Sequence, residues 1–289
     1  MKKAALILSA AICVVMISAR AADWTDANNA TYTALKSING GGSGYIATDF
    51  KPAGTDTVKF KVKPSTVNGN DCIYCSRYYN GSGYATQQFC GFRIGSAFRV
   101  DSHDHYKSKS GKTYTRQFTC DTTKPLTPST EYILSADYNN AVVTINGTTQ
   151  TLTASPASDG MAASRSNNFT PGSILVLLAS HTSTSADAAS AATLTGIGDK
   201  ATGDLYYFQL WSKEGTLSHN FMPAKRDSDS DPAAGLYDTV TKKFYPATDG
   251  SLTGAAYDAS ERAGKKWTGL GGDNLMSNAA NWEGGVAPQ

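Results

Sequence analysis

Only four glutamates occur among the 289 residues: Glu131, Glu214, Glu261 and Glu283. A retaining glycosidase needs two carboxyl groups roughly 5 Å apart, one as nucleophile and one as acid/base. A strand supplies such a pair when its alternation points both into one cleft. No two of these glutamates share a strand-like stretch, and no inward-facing pair of aspartates stands out. Serine chemistry lacks its frame too, since no Gly-x-Ser-x-Gly elbow accompanies the histidines His103, His105, His181 and His219. His103-Asp104-His105 offers two imidazoles from one face of an extended segment, which suits a metal. The polar run 101–111 around it reads first as a solvated turn. A non-enzyme is expected.

Binding residues are better represented. Asp227, Asp229 and Asp231 alternate with serines as in a calcium loop. An EF-hand would put glycine sixth and glutamate twelfth, where this chain has Pro232 and Asp238. A plain hairpin loop is therefore expected first, with calcium left as the one possible cofactor. Sugars are held by aromatic stacking beside amide and carboxylate groups that bond hydroxyls. Tyr207, Gln209 and Trp211 share one face of their strand and meet that description, and Tyr74, Tyr78 and Tyr79 are further candidates. The plainer alternative places all of these in the core or as sheet cover.

Cys72, Cys75, Cys90 and Cys120 remain once Cys13 is removed with an apolar N-terminal stretch. An even number in an exported chain points to two disulfides. Strands on either side of the turn Asn80-Gly81-Ser82-Gly83 would set Cys75 nearly opposite Cys90, so Cys75–Cys90 and Cys72–Cys120 are expected. Cys72-Ile73-Tyr74-Cys75 also has metal-knuckle spacing, but a structural zinc site normally pairs two knuckles, and Cys90 and Cys120 lie far apart.

The elements that must position these residues are strands. The stretch 56–64 alternates Val58, Phe60 and Val62 with Lys59, Lys61 and Lys63 before Pro64 ends it. The lysines are expected to form a solvated face or to guard a sheet edge. Leu205 to Trp211 and Leu217 to Phe221 are strands joined across Lys213-Glu214-Gly215, and Gly235 to Asp238 and Phe244-Tyr245 follow a polar loop. Asn146-Gly147 is a two-residue hairpin signal between two further strands. Residues 114–120 read as one strand. The aliphatic run 174–179 reads as a central strand buried on both faces, and 182–195 as a long loop. No long amphipathic helical pattern occurs, so the expected class is all-β, a two-sheet antiparallel β-sandwich.

The totals bound the setting. Hydrophobic content of 40% with 17% charge is globular. Met1-Lys2-Lys3, the apolar run to Ala19 and the small residues of Ala19-Arg20-Ala21 form a signal peptide over 1–21. The formal charge of +2 falls near −1 without Lys2, Lys3 and Arg20, because 23 basic residues then face 24 acidic ones. Nucleic acid and anionic membrane surfaces, which want a basic stripe, are not expected partners. No second apolar run has the roughly 18–20 residues of a membrane span. Secretion or surface display follows.

A resemblance covers most of 32–254. The stretch 213–245, with Lys-Glu-Gly-Thr-Leu, then Asn-Phe-Met-Pro-Ala-Lys-Arg, a polar loop and Gly-Leu-Tyr-Asp-Thr-Val-Thr-Lys-Lys-Phe-Tyr, resembles the closing strands of LamG-like jelly-roll domains. Residues 32–38 and 44–52 are similar to that family's opening strand, and 136–147 to its central hairpin. The resemblance implies a concanavalin A-like lectin/glucanase fold, and its superfamily hosts lectins, adhesins, hydrolases and spacers. It also raises calcium as a loop ligand. Residues 267–288 resemble the opening of autotransporter-type passenger repeats in bacterial surface proteins. The expected layout is a lead-in at 22–43, a jelly roll at 44–256, and a linker with the start of a surface repeat at 257–289, the product of a truncated or split gene. The expected function is non-catalytic binding of glycans or another cell-surface ligand. A structural spacer and an atypical glycosidase are the alternatives.

Overall fold

The computed structural model describes residues 24–65, 70–79, 85–94, 97–103, 105–107, 113–115, 117–119, 126–140, 142–151, 153–155, 173–183, 190, 194–227 and 234–257. Residues 1–21, expected as a signal peptide, residues 267–288, expected to open a surface repeat, and Cys120 lie outside them. The first strands are β1 (Trp24–Thr25), β2 (Thr31–Ala34), β3 (Ser37–Asn39), β4 (Ile46–Ala47) and β5 (Thr57–Pro64). Then come β6 (Asn70–Tyr79), β7 (Ala85–Ile94), β8 (Ala97–His103), β9 (His105–Lys107), β10 (Thr113–Thr115) and β11 (Gln117–Thr119). The middle of the chain adds β12 (Tyr132–Asp137), β13 (Val142–Ile145), β14 (Thr148–Thr151), β15 (Thr153–Ser155), β16 (Val176–Leu177) and β17 (Ser180–Thr182). The last are β18 (Thr195–Gly198), β19 (Gly203–Trp211), β20 (Leu217–Arg226), β21 (Ala234–Asp238), β22 (Lys243–Pro246) and β23 (Thr253–Ala255). No helix occurs among the described residues, and so none there is long and apolar enough to cross a membrane.

These strands form an all-β antiparallel sandwich. The large sheet runs β1-β2-β20-β19-β5-β12-β13-β14, with β21 and β22 on β20 and with β3 and β23 beside β19. The small sheet runs β4-β16-β6-β7-β8. Alternation in β5 sends Val58, Phe60 and Val62 inward, with at most 5% of any of them exposed. The two sheets meet through aromatic rings. Phe60 packs on Tyr74 at 5.7 Å and on Phe98 at 5.6 Å, and Phe208 meets Tyr74 at 5.4 Å. Each such ring contributes about 1.5–3 kcal/mol by leaving water. The buried phenols stay hydrogen-bonded: Tyr74 donates to Tyr138, 2.8 Å away, and Tyr138 donates to the Cys90 carbonyl at 3.0 Å.

The structure refines the sequence reading in several places. Of the two roles expected for the lysine row of β5, the outward face holds, with Lys59 exposed, and edge protection does not, because β5 lies inside the large sheet between β19 and β12. The run 174–179 is buried throughout and central, but only Val176–Leu177 is strand. Leu178 has a φ of 68° and turns the chain. Within the expected strand 114–120, the described pieces β10 and β11 pair with different partners, β9 and β15. The polar stretch expected as a lead-in supplies β1 to β3, because Trp24 stacks on Tyr237 at 5.2 Å and Tyr32 packs at a tilt against Phe244 at 4.8 Å. Tyr74 is fully buried between the sheets and belongs to no surface. The Asn146-Gly147 hairpin matches its signal, with φ of 46° and 80° joining β13 to β14.

Candidate functional site

The face of the large sheet turned away from the core carries the sequence candidates. Tyr207 lies opposite Lys61, Gln209 opposite Lys59 and Trp211 opposite Thr57, all with side chains directed outward. A bulge between Leu205 and Tyr207 lets Tyr206 share this side, and the Lys61 ammonium sits 4.7 Å from its ring centre. Tyr206, Tyr207, Gln209 and Trp211 are half-buried. Across the next ladder Gln209 donates to the Asn220 side chain at 3.1 Å, and Asn220 donates to Thr239 at 2.7 Å. This chain of bonds holds both amides in fixed orientation along the sheet. Glu131 is ion-paired with Lys61 at 2.7 Å, which holds its carboxyl below the ordinary range. Burial raises the Tyr207 phenol. The patch therefore offers aromatic rings, oriented amides and the exposed Lys59 within three adjacent strands.

The other candidates separate from it. Tyr78 is half-buried on β6, in the small sheet, and the side chain of Tyr79 lies outside the description. Asp227 accepts from Thr33 Oγ1 at 2.6 Å, and its amide donates to the Thr31 carbonyl at 2.9 Å, so it fastens the end of β20 to β2. Asp229 and Asp231 lie outside the described residues, as do the side chains of His103 and His105. Among the described residues no group of three or more His, Cys, Asp or Glu is arranged to hold a metal.

Cys75 lies opposite Cys90 in the ladder, as expected, but the expected disulfide between them is absent: their sulfur atoms are 2.7 Å apart as unbonded thiols. Cys72 is buried beside them.

Sequence reasoning missed one polar cluster. His219 Nδ1 lies 2.7 Å from Asp238 Oδ2, whose residue is wholly buried. Asp238 also accepts from the Asn220 and Val240 amides and the Thr241 hydroxyl at 2.9, 3.1 and 2.7 Å. Burial opposes its ionisation, but the bonds from His219, Asn220, Thr241 and Val240 prevail and bring its carboxyl down to about 2. Phe50 stacks on the imidazole at 3.8 Å. Nearby, Asp56 is pushed up to about 6, first by burial. The available signal was an aspartate ending β21 before the polar turn at Thr239 to Lys242, a capping position. Its pairing with His219, nineteen residues away, has no sequence signature.

No protein-family profile matches this chain, and no curated protein matches it.

Proposed function

We propose that this chain is an exported, non-catalytic adhesion module of the concanavalin A-like type that binds glycans on the outward face of its large sheet. The observation that carries this reading is the side-by-side placement of Tyr207, Gln209 and Trp211 on that face, next to Asn220 and Lys59. Rings stack on the apolar faces of sugars, while amides held by neighbours lose little entropy on bonding hydroxyls. The LamG-like stretches and the two-sheet architecture support the same assignment. The signal peptide and the near-neutral mature charge favour an extracellular ligand over nucleic acid.

A glycan array probed with the full chain, followed by titration of any hit, tests the proposal. Trp211→Ala should weaken binding at least about tenfold, as loss of a stacked tryptophan anchor does, while leaving the far-ultraviolet circular dichroism unchanged. An empty array, or a bound glycan indifferent to both Trp211→Ala and Tyr207→Ala, overturns it and leaves the spacer reading.

A further inference from the structure

Cys72 and Cys75 are three positions apart on β6, a spacing that in a regular strand points side chains to opposite faces. The register shows why they nevertheless meet. Cys72 pairs with Phe92 and Tyr74 with Gly91, so Ile73 is an extra residue on β6. Three steps along β6 thereby match two along β7, and Cys72 falls on the side of Cys75 and Cys90. Ile73 and Tyr74 both enter the main core, while the three cysteines form a separate, fully buried cluster. The bulge is buttressed: Leu178 donates to the Ile73 carbonyl and the Cys72 amide to the Asp199 carbonyl, each at 2.8 Å. Beside the sulfurs stands His181, buried and accepting from the Arg77 amide at 3.4 Å.

Cys75 is the middle sulfur. Burial alone would raise its thiol, but hydrogen bonds from Cys72 and Cys90, with the Arg77 charge beside them, hold it well below the ordinary range. Burial, and next the proximity of Cys75, push the Cys72 thiol well up. Cys75 is thus biased toward the thiolate and Cys72 toward the thiol.

We propose that Cys75 is the shared sulfur of a buried disulfide-exchange site: the unbonded thiols are its reduced form, oxidation joins Cys75 to Cys90, and that bond can pass to Cys72. In the forming step the Cys75 thiolate attacks a small-molecule disulfide RSSR, giving Cys75–S–S–R and one RS⁻. Cys90 then displaces the second RS⁻, and the two thiol protons leave as two RSH; the cysteines lose two electrons and RSSR gains them. Because the folded site is enclosed, this happens before β6 and β7 close. In the exchange step the Cys72 thiolate attacks Cys75, the Cys75–Cys90 bond breaks, and Cys90 takes up the proton that Cys72 lost. No oxidant is needed for that step. The first bond ties β6 to β7; the second closes a short ring within β6 and leaves β7 held by its ladder alone. Cys72 is then not committed to Cys120.

The test is peptide mapping of the full chain, oxidised with oxidised glutathione during refolding, acid-quenched, alkylated and digested without reduction. The wild type should give a Cys75–Cys90 linked peptide, and Cys90→Ser a Cys72–Cys75 one. In native wild type moved to higher pH, the trapped Cys72–Cys75 species should appear about tenfold faster per pH unit below the Cys72 pKa. This last measurement stands even if Cys90→Ser does not fold. A Cys72–Cys120 link, three thiols that all alkylate after oxidation, or one tightly held zinc per chain released by thiol modification overturns the proposal.

Discussion

Asp56→Asn should make this protein more stable at neutral pH. Asp56 is 7% exposed and sits in the turn before β5, where its carboxylate accepts from the Ala53 amide at 2.8 Å. Burial raises its pKa from the ordinary 3.8 to about 6, against the opposing Ala53 bond and the charge of His219, with Glu214 adding to the rise. The folded value lies above the unfolded one, so the stability this group contributes is complete below pH 3.8 and is lost as pH rises through about 6. At about 1.4 kcal/mol per pH unit, the loss by pH 7 amounts to about 2–3 kcal/mol. Asparagine keeps an oxygen for the Ala53 amide and carries no charge to desolvate. Urea unfolding of wild type and Asp56→Asn from pH 3.5 to 7.5 isolates the effect, because every other titrating group cancels in the difference. The two should coincide near pH 3.5 and separate progressively, the variant ahead by about 2–3 kcal/mol at pH 7. A constant gap across this range, or a variant less stable at pH 7, refutes the reasoning.

Asp238 has the opposite sign. Its folded pKa of about 2 lies below the ordinary 3.8, so Asp238→Asn should cost about 2 kcal/mol at pH 7, and the gap in urea unfolding should close as pH falls from 3.8 through about 2. Gly91→Ala should lower the melting temperature, since a Cβ there would collide with the Tyr74 ring that crosses it; about 1–3 kcal/mol is expected in denaturant unfolding. Phe60→Ala removes the ring that joins the sheets and should cost about 3–5 kcal/mol by the same assay.

The sequence alone determined the local grammar of this protein. Alternation in 56–64 set which side of β5 is buried, because a period of two leaves no other arrangement with Lys59, Lys61 and Lys63 in water. Asn146-Gly147 set a hairpin because both positions need positive φ, which these residues tolerate. The same period placed Tyr207, Gln209 and Trp211 on one face. What surrounds each strand was decided only by tertiary structure, since strand order is set by contacts far apart in the chain. The lysine strand became interior, and Leu178 turned what looked like an unbroken strand. The extra residue Ile73 depends on both strands of its ladder and reversed the parity by which Cys72 and Cys75 would have parted. Asp238 found His219 because β20 and β21 pair, and the hydrogen bonds that hold its charge exist only once those strands and their turn have closed around it.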